Sequence, residues 1–246
     1  MAWLPGDRLL AEASKPEAGR HGLGVNVDGY FLPKPAPEIF AAGEQNDVPL
    51  MAGWNRNEGS YDVASTNPKP TAAEVKERAE KEFGDKSARF LKLYPADTDE
   101  AALRSWEDYL GDSFIAFGTW KWLEAQATKG RQPVYRYRFD LAPPRDPKEP
   151  DGLGAFHSAE IEYVFGTLEW RIPTLWRAED RTVSELMRKY WSNFAKKADP
   201  NGPGLPKWPA YKPSVDSQVM YLNAQSKAEK DSQRGRYLFL QSNWEK

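Results

Sequence analysis

The sequence predicts an α/β fold. Three short runs carry strand character, and the stretches between them carry the apolar spacing of helices. Strands separated by helical segments need crossover connections, which implies a largely parallel sheet. Proline- and glycine-rich punctuation between the elements, as in "LPKPAPE" at 32–38 and "APPRDPKEPDGLG" at 142–154, reads as loops and not as an interdomain linker.

The first strand is "DVPLMAG", 47–53, a mostly continuous apolar run ending in glycine, as expected for a buried strand. A helix follows in "TAAEVKERAEKEF", where Thr71 and Glu74 have capping-box spacing. From Asp97 to Lys129, the positions Leu103, Trp106, Leu110, Phe114, Phe117 and Trp120 form one stripe at gaps of three and four. That stripe belongs to one long helix or to two helices broken near Gly111. "PVYRYRF", 133–139, is the second strand. A further helix is predicted over "TVSELMRKYWSNFAKK", with Thr182 and Glu185 as its cap and "DPNG" as its stop. "SQVMYLN", 217–223, is the third strand. About three mostly parallel strands are few for so many helices, because a parallel sheet needs both faces covered and its edges managed. The count suggests part of a larger sheet.

The bulk numbers exclude several classes of function. Thirty-four basic against 36 acidic residues in 246 leave a net charge of −2, so no electrostatic case exists for nucleic acid. No apolar run of about 18 residues could span a bilayer. The N-terminus has no basic segment followed by an apolar one, hence no signal peptide, and the compartment stays unknown for a chain expected to be soluble. Zero cysteines remove disulfides and thiolate sites. With only two histidines, His21 and His157, and no H-E-x-x-H, no metal is expected, and "GRHGLG" at 19–24 is no phosphate loop. No cofactor is expected.

Two residues stand out. The first strand runs into "WNRNEGSYD", presenting Glu58 where open α/β sheets gather their sites, at the carboxyl ends of strands. His157 follows the second strand after the long proline-rich loop. An imidazole base needs a carboxylate on its far nitrogen, and α/β-hydrolases supply acid and then histidine in that chain order. Glu160 and Glu162, alternating beside apolar residues, read as a solvated helix face.

"VNVDGYFLP" (25–33), "VPLMAGWNRNEGS" (48–60), "PVYRYRFD" (133–140), "GAFHSAEIEYVFGTL" (154–168) and "YWSNFAKKADPNGPGLPKWPAY" (190–211) together resemble the type B carboxylesterases, the group containing cholinesterases and para-nitrobenzyl esterases. The blocks occur in the family's order over almost the whole chain, and the resemblance is to the family's C-terminal half. It implies that 1–246 is the C-terminal portion of an α/β-hydrolase domain acting on small carboxylic esters. Carried over, the family's triad acid falls on Glu58 and its triad histidine on His157. Asn57 stands where the family often has Asp, and Ala198 where Gly is common.

No G-x-S-x-G occurs. Ser113 lies on the helical stripe, and Ser60 and Ser158 lack the strand–turn–helix context of an activated nucleophile. In a well-studied protease, losing the nucleophile costs on the order of a million-fold in turnover. The expectation is therefore a fragment inactive by itself, requiring the N-terminal half of the same protein as partner and self-associating through the exposed sheet edge. The alternative is a non-catalytic, cholinesterase-like adhesion or binding module.

Overall fold

The computed structural model describes residues 5–13, 25–171 and 175–244; His21 and the 19–24 glycine stretch lie outside them. The chain divides into two compact units, Met1–Gln45 and Asn46–Lys246. The first unit carries two short helices, α1 (Gly6–Ala13) and α2 (Ala36–Ala42). Before α2, the Asp28 carboxylate accepts from the backbone N–H groups of Tyr30, Phe31 and Leu32 and so closes the turn of the "VNVDGYFLP" block. Gly43 ends α2 in the left-handed conformation, its N–H returning to the carbonyls of Ile39 and Phe40.

The second unit is built on a four-stranded sheet in the order β1 (Leu50–Asn55), β2 (Val134–Phe139), β3 (Gln218–Leu222), β4 (Lys227–Lys230). The first three strands are parallel, with Leu50 opposite Val134, Asn55 opposite Phe139 and Tyr137 opposite Met220. The fourth corrects the count of about three: "KAEK" turns back antiparallel, Gln218 facing Lys230. Its signal was weak for a physical reason. It is a short, largely exposed edge strand of mostly charged residues, the composition by which proteins blunt a sheet edge.

Helices cover both faces. After β1 come α3 (Ser60–Ser65), α4 (Ala72–Phe83), α5 (Ser87–Leu93), α6 (Asp99–Gly111) and α7 (Phe117–Lys129). After β2 come α8 (Ile161–Phe165), α9 (Leu168–Arg171) and α10 (Ala178–Lys197), and α11 (Arg234–Trp244) closes the chain. One large core gathers Phe139, Tyr163, Met187, Tyr190, Trp208 and Leu222; a second gathers Trp54, Phe90, Trp120, Leu123, Val134 and Tyr237, and a small third holds Val75, Ala96 and Ala102. Alternate residues of β2 point to opposite cores, Val134 to one and Tyr135 and Phe139 to the other, as the two-residue period of a strand requires.

The α4 cap is as predicted, with Thr71 N–H donating to Glu74 Oε2 at 2.8 Å and Glu74 N–H to Thr71 Oγ1 at 3.3 Å. The predicted start of the last long helix is corrected. It begins a turn earlier, where Asp180 accepts from Arg177 N–H at 2.8 Å, and Thr182 instead lies inside, donating to the Ala178 carbonyl. The break near Gly111 is a π-helical turn, Asp112–Ala116, joining α6 to α7 without leaving helical backbone angles.

Arg136, one of two arginines alternating with the apolar residues of β2, is fully buried. Its Nη1 donates to Asp231 Oδ2 at 2.6 Å, and its guanidinium lies over the Trp54 ring at 4.5 Å. Removing one partner strands a charge in the core. Asp231→Ala is expected to lower unfolding stability by about 3–5 kcal/mol, measured by denaturant titration, whereas Arg136→Met combined with Asp231→Leu should recover most of that loss. A single variant within ~1 kcal/mol of the parent would contradict this role. At the end of α10, Ala198 occupies φ 58°, the left-handed region that disfavours a Cβ. Ala198→Gly should therefore raise stability, by about 0.5–1 kcal/mol in the same assay.

Candidate active site

Glu58 and His157 lie 99 residues apart in sequence, and their side chains meet: His157 Nδ1 is 2.7 Å from Glu58 Oε2. Glu58 sits in the turn that leaves β1, where its other oxygen, Oε1, accepts from the backbone N–H of Asn55 at 2.7 Å. The carboxylate is nearly enclosed, whereas the imidazole is about half exposed, 5 % against 45 % of each side chain. Burial pushes the Glu58 carboxyl above its ordinary range. The Asn55 N–H pulls it back first, then the hydrogen bond and charge of His157, while the Glu160 charge adds to the rise. An ionised carboxylate only accepts, so the proton of this contact belongs to Nδ1, which leaves Nε2 as the ring's basic nitrogen.

The loop carrying His157 is tied to the end of β1 by backbone and side chain together. Asn57 pairs with Phe156 in a parallel bridge, its N–H donating to the Ala155 carbonyl at 3.0 Å. The Asn57 side chain accepts from Ala155 N–H at 3.0 Å and donates to Glu107 Oε1 of α6 at 2.6 Å. Asn55 Nδ2 donates to the Phe156 carbonyl at 2.7 Å and to Glu160 Oε2 at 2.5 Å. Glu160 is thus no solvated helix residue as its alternation suggested. It anchors the histidine loop from the far side of Asn55.

Close approach of the Glu58 turn to α6 depends on two glycines. A Cβ on Gly59 would stand 2.3 Å from the Glu107 carbonyl oxygen, and one on Gly111 would meet Gly59 N at 2.9 Å and Glu58 Cβ at 3.0 Å. Beyond Gly111 the π turn carries Phe114, largely exposed, whose ring meets the His157 ring at 5.2 Å and 75°. The apolar spacing groups Phe114 with Leu110 and Phe117 in one helical stripe. The extra residue of the π turn rotates it off that stripe, and such turns are frequent at functional sites.

The three serines weighed in the sequence have different settings. Ser60 is buried at the start of α3 with no hydrogen-bond partner for Oγ among the described residues. Ser113 lies exposed in the π turn. Ser158 follows the histidine at φ 71°.

Parallel strands that deliver an acid and then a histidine to one rim have the arrangement of an α/β-hydrolase. The carboxylesterase family model matches residues 4–240, and the chain belongs to the carboxylesterase family. It is similar to a rat pyrethroid hydrolase (Ces2e; 28 % identical over 81 % of this chain and 37 % of the relative) and to a rat acylcarnitine hydrolase (29 %, 81 % and 37 %). It is also similar to a human cocaine esterase (30 %, 81 % and 38 %). The chain thus spans somewhat over a third of the length of these curated relatives.

The family match corrects the restriction to a C-terminal fragment, because it runs nearly end to end. The expectations drawn from that restriction fall with it: an N-terminal half as a required partner, self-association through a sheet edge left by its loss, and a chain inactive by itself. They rested on the missing G-x-S-x-G, one local motif, whereas the family pattern runs over 4–240. No helix among the described residues is long and apolar enough to cross a membrane.

Gly154 shows how closely the loop is set. It adopts φ 62°, and a Cβ there would fall 2.4 Å from Asn57 Oδ1. Gly154→Ala is expected to cost about 1–3 kcal/mol of stability and to speed amide exchange at Ala155 and Asn57. Unchanged exchange at both amides would show that the loop is held some other way.

Proposed function

We propose that the chain hydrolyses small carboxylic esters, with Glu58 and His157 as its acid and base. The observation that carries this reading is the 2.7 Å contact between a nearly enclosed carboxylate and a half-exposed imidazole. In the reaction, Nε2 of His157 takes the proton of an attacking oxygen nucleophile as the ester carbonyl becomes tetrahedral, then returns it to the departing alkoxide. Glu58 holds the tautomer with the proton on Nδ1 and offsets the positive charge of the transient imidazolium. The names of the relatives, two hydrolases and an esterase, support the reaction class. The reading requires neither metal nor cofactor.

The exposed Phe114 ring gives the histidine an apolar neighbour on the solvent side, suited to the hydrocarbon part of an ester. An adhesion module would have no use for a buried acid held by Asn55 and aimed at an imidazole.

Hydrolysis of p-nitrophenyl butyrate by the chain tests the reading. His157→Ala should lower kcat/KM by about 10²- to 10⁴-fold, the usual contribution of a general base. Glu58→Gln should lower kcat more than it raises KM, because the amide favours the wrong imidazole tautomer. A parent chain no faster than buffer, or a His157→Ala variant as fast as the parent, would sink the assignment.

A further inference from the structure

A cavity of about 430 Å³ opens beside the carboxyl ends of β1 and β2. Its wall holds four cations, Arg56, Lys92, Arg138 and Arg236, and one carboxylate, Asp108. Leu93 is its only aliphatic contribution, so the space suits a polar ligand and not a hydrocarbon. In a chain whose net charge is −2, this is a local reversal of sign.

Two of the cations are already committed. Arg138 makes a bidentate contact with Asp140, at 2.5 and 2.6 Å, and Arg236 Nη2 lies 2.8 Å from Asp108 Oδ2. Arg236 Nη1 is different: it is buried, makes no hydrogen bond among the described residues, and lies 3.7 Å from Asp112 Oδ2. Burial pushes the Asp112 carboxyl up to about 7, which weakens its hold on that nitrogen near neutrality. Arg56 and Lys92 are exposed and form no ion pair among the described residues. On the remaining side, Ser232 and Gln233 add a hydroxyl and an amide just before the first turn of α11, whose dipole favours negative charge.

We propose that this cavity binds a phosphate group, either free phosphate or the phosphate of a small phosphomonoester. Two uncommitted cations answer its two charges. The fork of Arg56 supplies directional donors, and Lys92 supplies a point charge. The volume exceeds that of the ion alone and leaves room for a short organic body. Nothing in this assignment depends on ester hydrolysis. The cavity does adjoin the candidate active site, because Arg56, Asp108 and Gln233 also line a narrow crevice reaching Glu58.

Isothermal titration of the chain with inorganic phosphate and with glycerol 3-phosphate, at fixed ionic strength and with chloride as control, tests the proposal. The expected result is saturable binding of about one equivalent, absent with chloride. The double variant Arg56→Ala, Lys92→Ala should raise Kd about tenfold or more, equivalent to about 1.4 kcal/mol. Both residues are exposed, so the variant should keep the parent's circular dichroism and Tm. Tighter binding of glycerol 3-phosphate assigns the site to a phosphomonoester, and equal affinity assigns it to the free ion. No saturable heat with either compound, or an unchanged Kd in a folded double variant, would overturn the proposal.

Discussion

The candidate site depends on one short piece of parallel pairing, the bridge between Asn57 and Phe156. Without it, Glu58 and His157 would be the ends of two unrelated loops. The bridge prolongs parallel pairing past the end of β1, with the histidine loop as the new partner, so the order of the sheet passes directly into the position of two side chains. Asn55 and Asn57 reinforce it from either side. One binds the Phe156 carbonyl and Glu160; the other binds Ala155 and Glu107. Amide side chains suit this work because each offers donors and an acceptor without adding a charge beside a buried carboxylate.

Electrostatic cost explains the composition around Glu58. Burying a carboxylate is unfavourable unless hydrogen bonds replace the lost water. Here the replacements are one backbone N–H, from Asn55, and one imidazole. The balance still leaves the acid's proton affinity raised. A carboxylate poorly compensated by fixed donors gains more when the imidazole becomes charged, which favours stabilisation that grows as the ring takes up a proton. The nearby π turn buries a second acid, Asp112, which accepts from Tyr94 at 2.8 Å. Two acids made costly by burial thus flank the point where α6 presses on the Glu58 turn.

Much of this was legible in the sequence, and the rest was hidden for identifiable reasons. The α/β class, three strands and the α4 cap follow from period and capping chemistry, and the resemblance to the type B carboxylesterases singles out Glu58 and His157. The fourth strand was hidden because an edge strand that resists aggregation looks like a loop. Asn55 and Glu160 were hidden because their partners are a backbone carbonyl and each other, a relation no local pattern records. Phe114 falls on the apolar stripe in sequence because a 3.6-residue period cannot register the insertion of a π turn. The cationic cavity was hidden as well, since its cations come from the turn after β1, α5, β2 and α11 and the net charge averages them away.

Among the described residues, two other than glycine occupy positive φ, and the contrast between them shows where strain has a purpose. Ala198 ends α10 through its backbone N–H, which donates to the Phe194 carbonyl at 2.8 Å, a role that any residue could fill. Ser158 lies between His157, whose ring faces outward, and Ala159, which is fully buried. A left-handed residue there reverses the chain direction in a single step, and the Ser158 carbonyl then accepts from Ile161 N–H at 3.2 Å to begin the turn into α8. An extended residue at 158 would carry the backbone onward and separate the imidazole from the wall that holds Glu160. The strained φ is how one loop both exposes its histidine and buries the residue two places on.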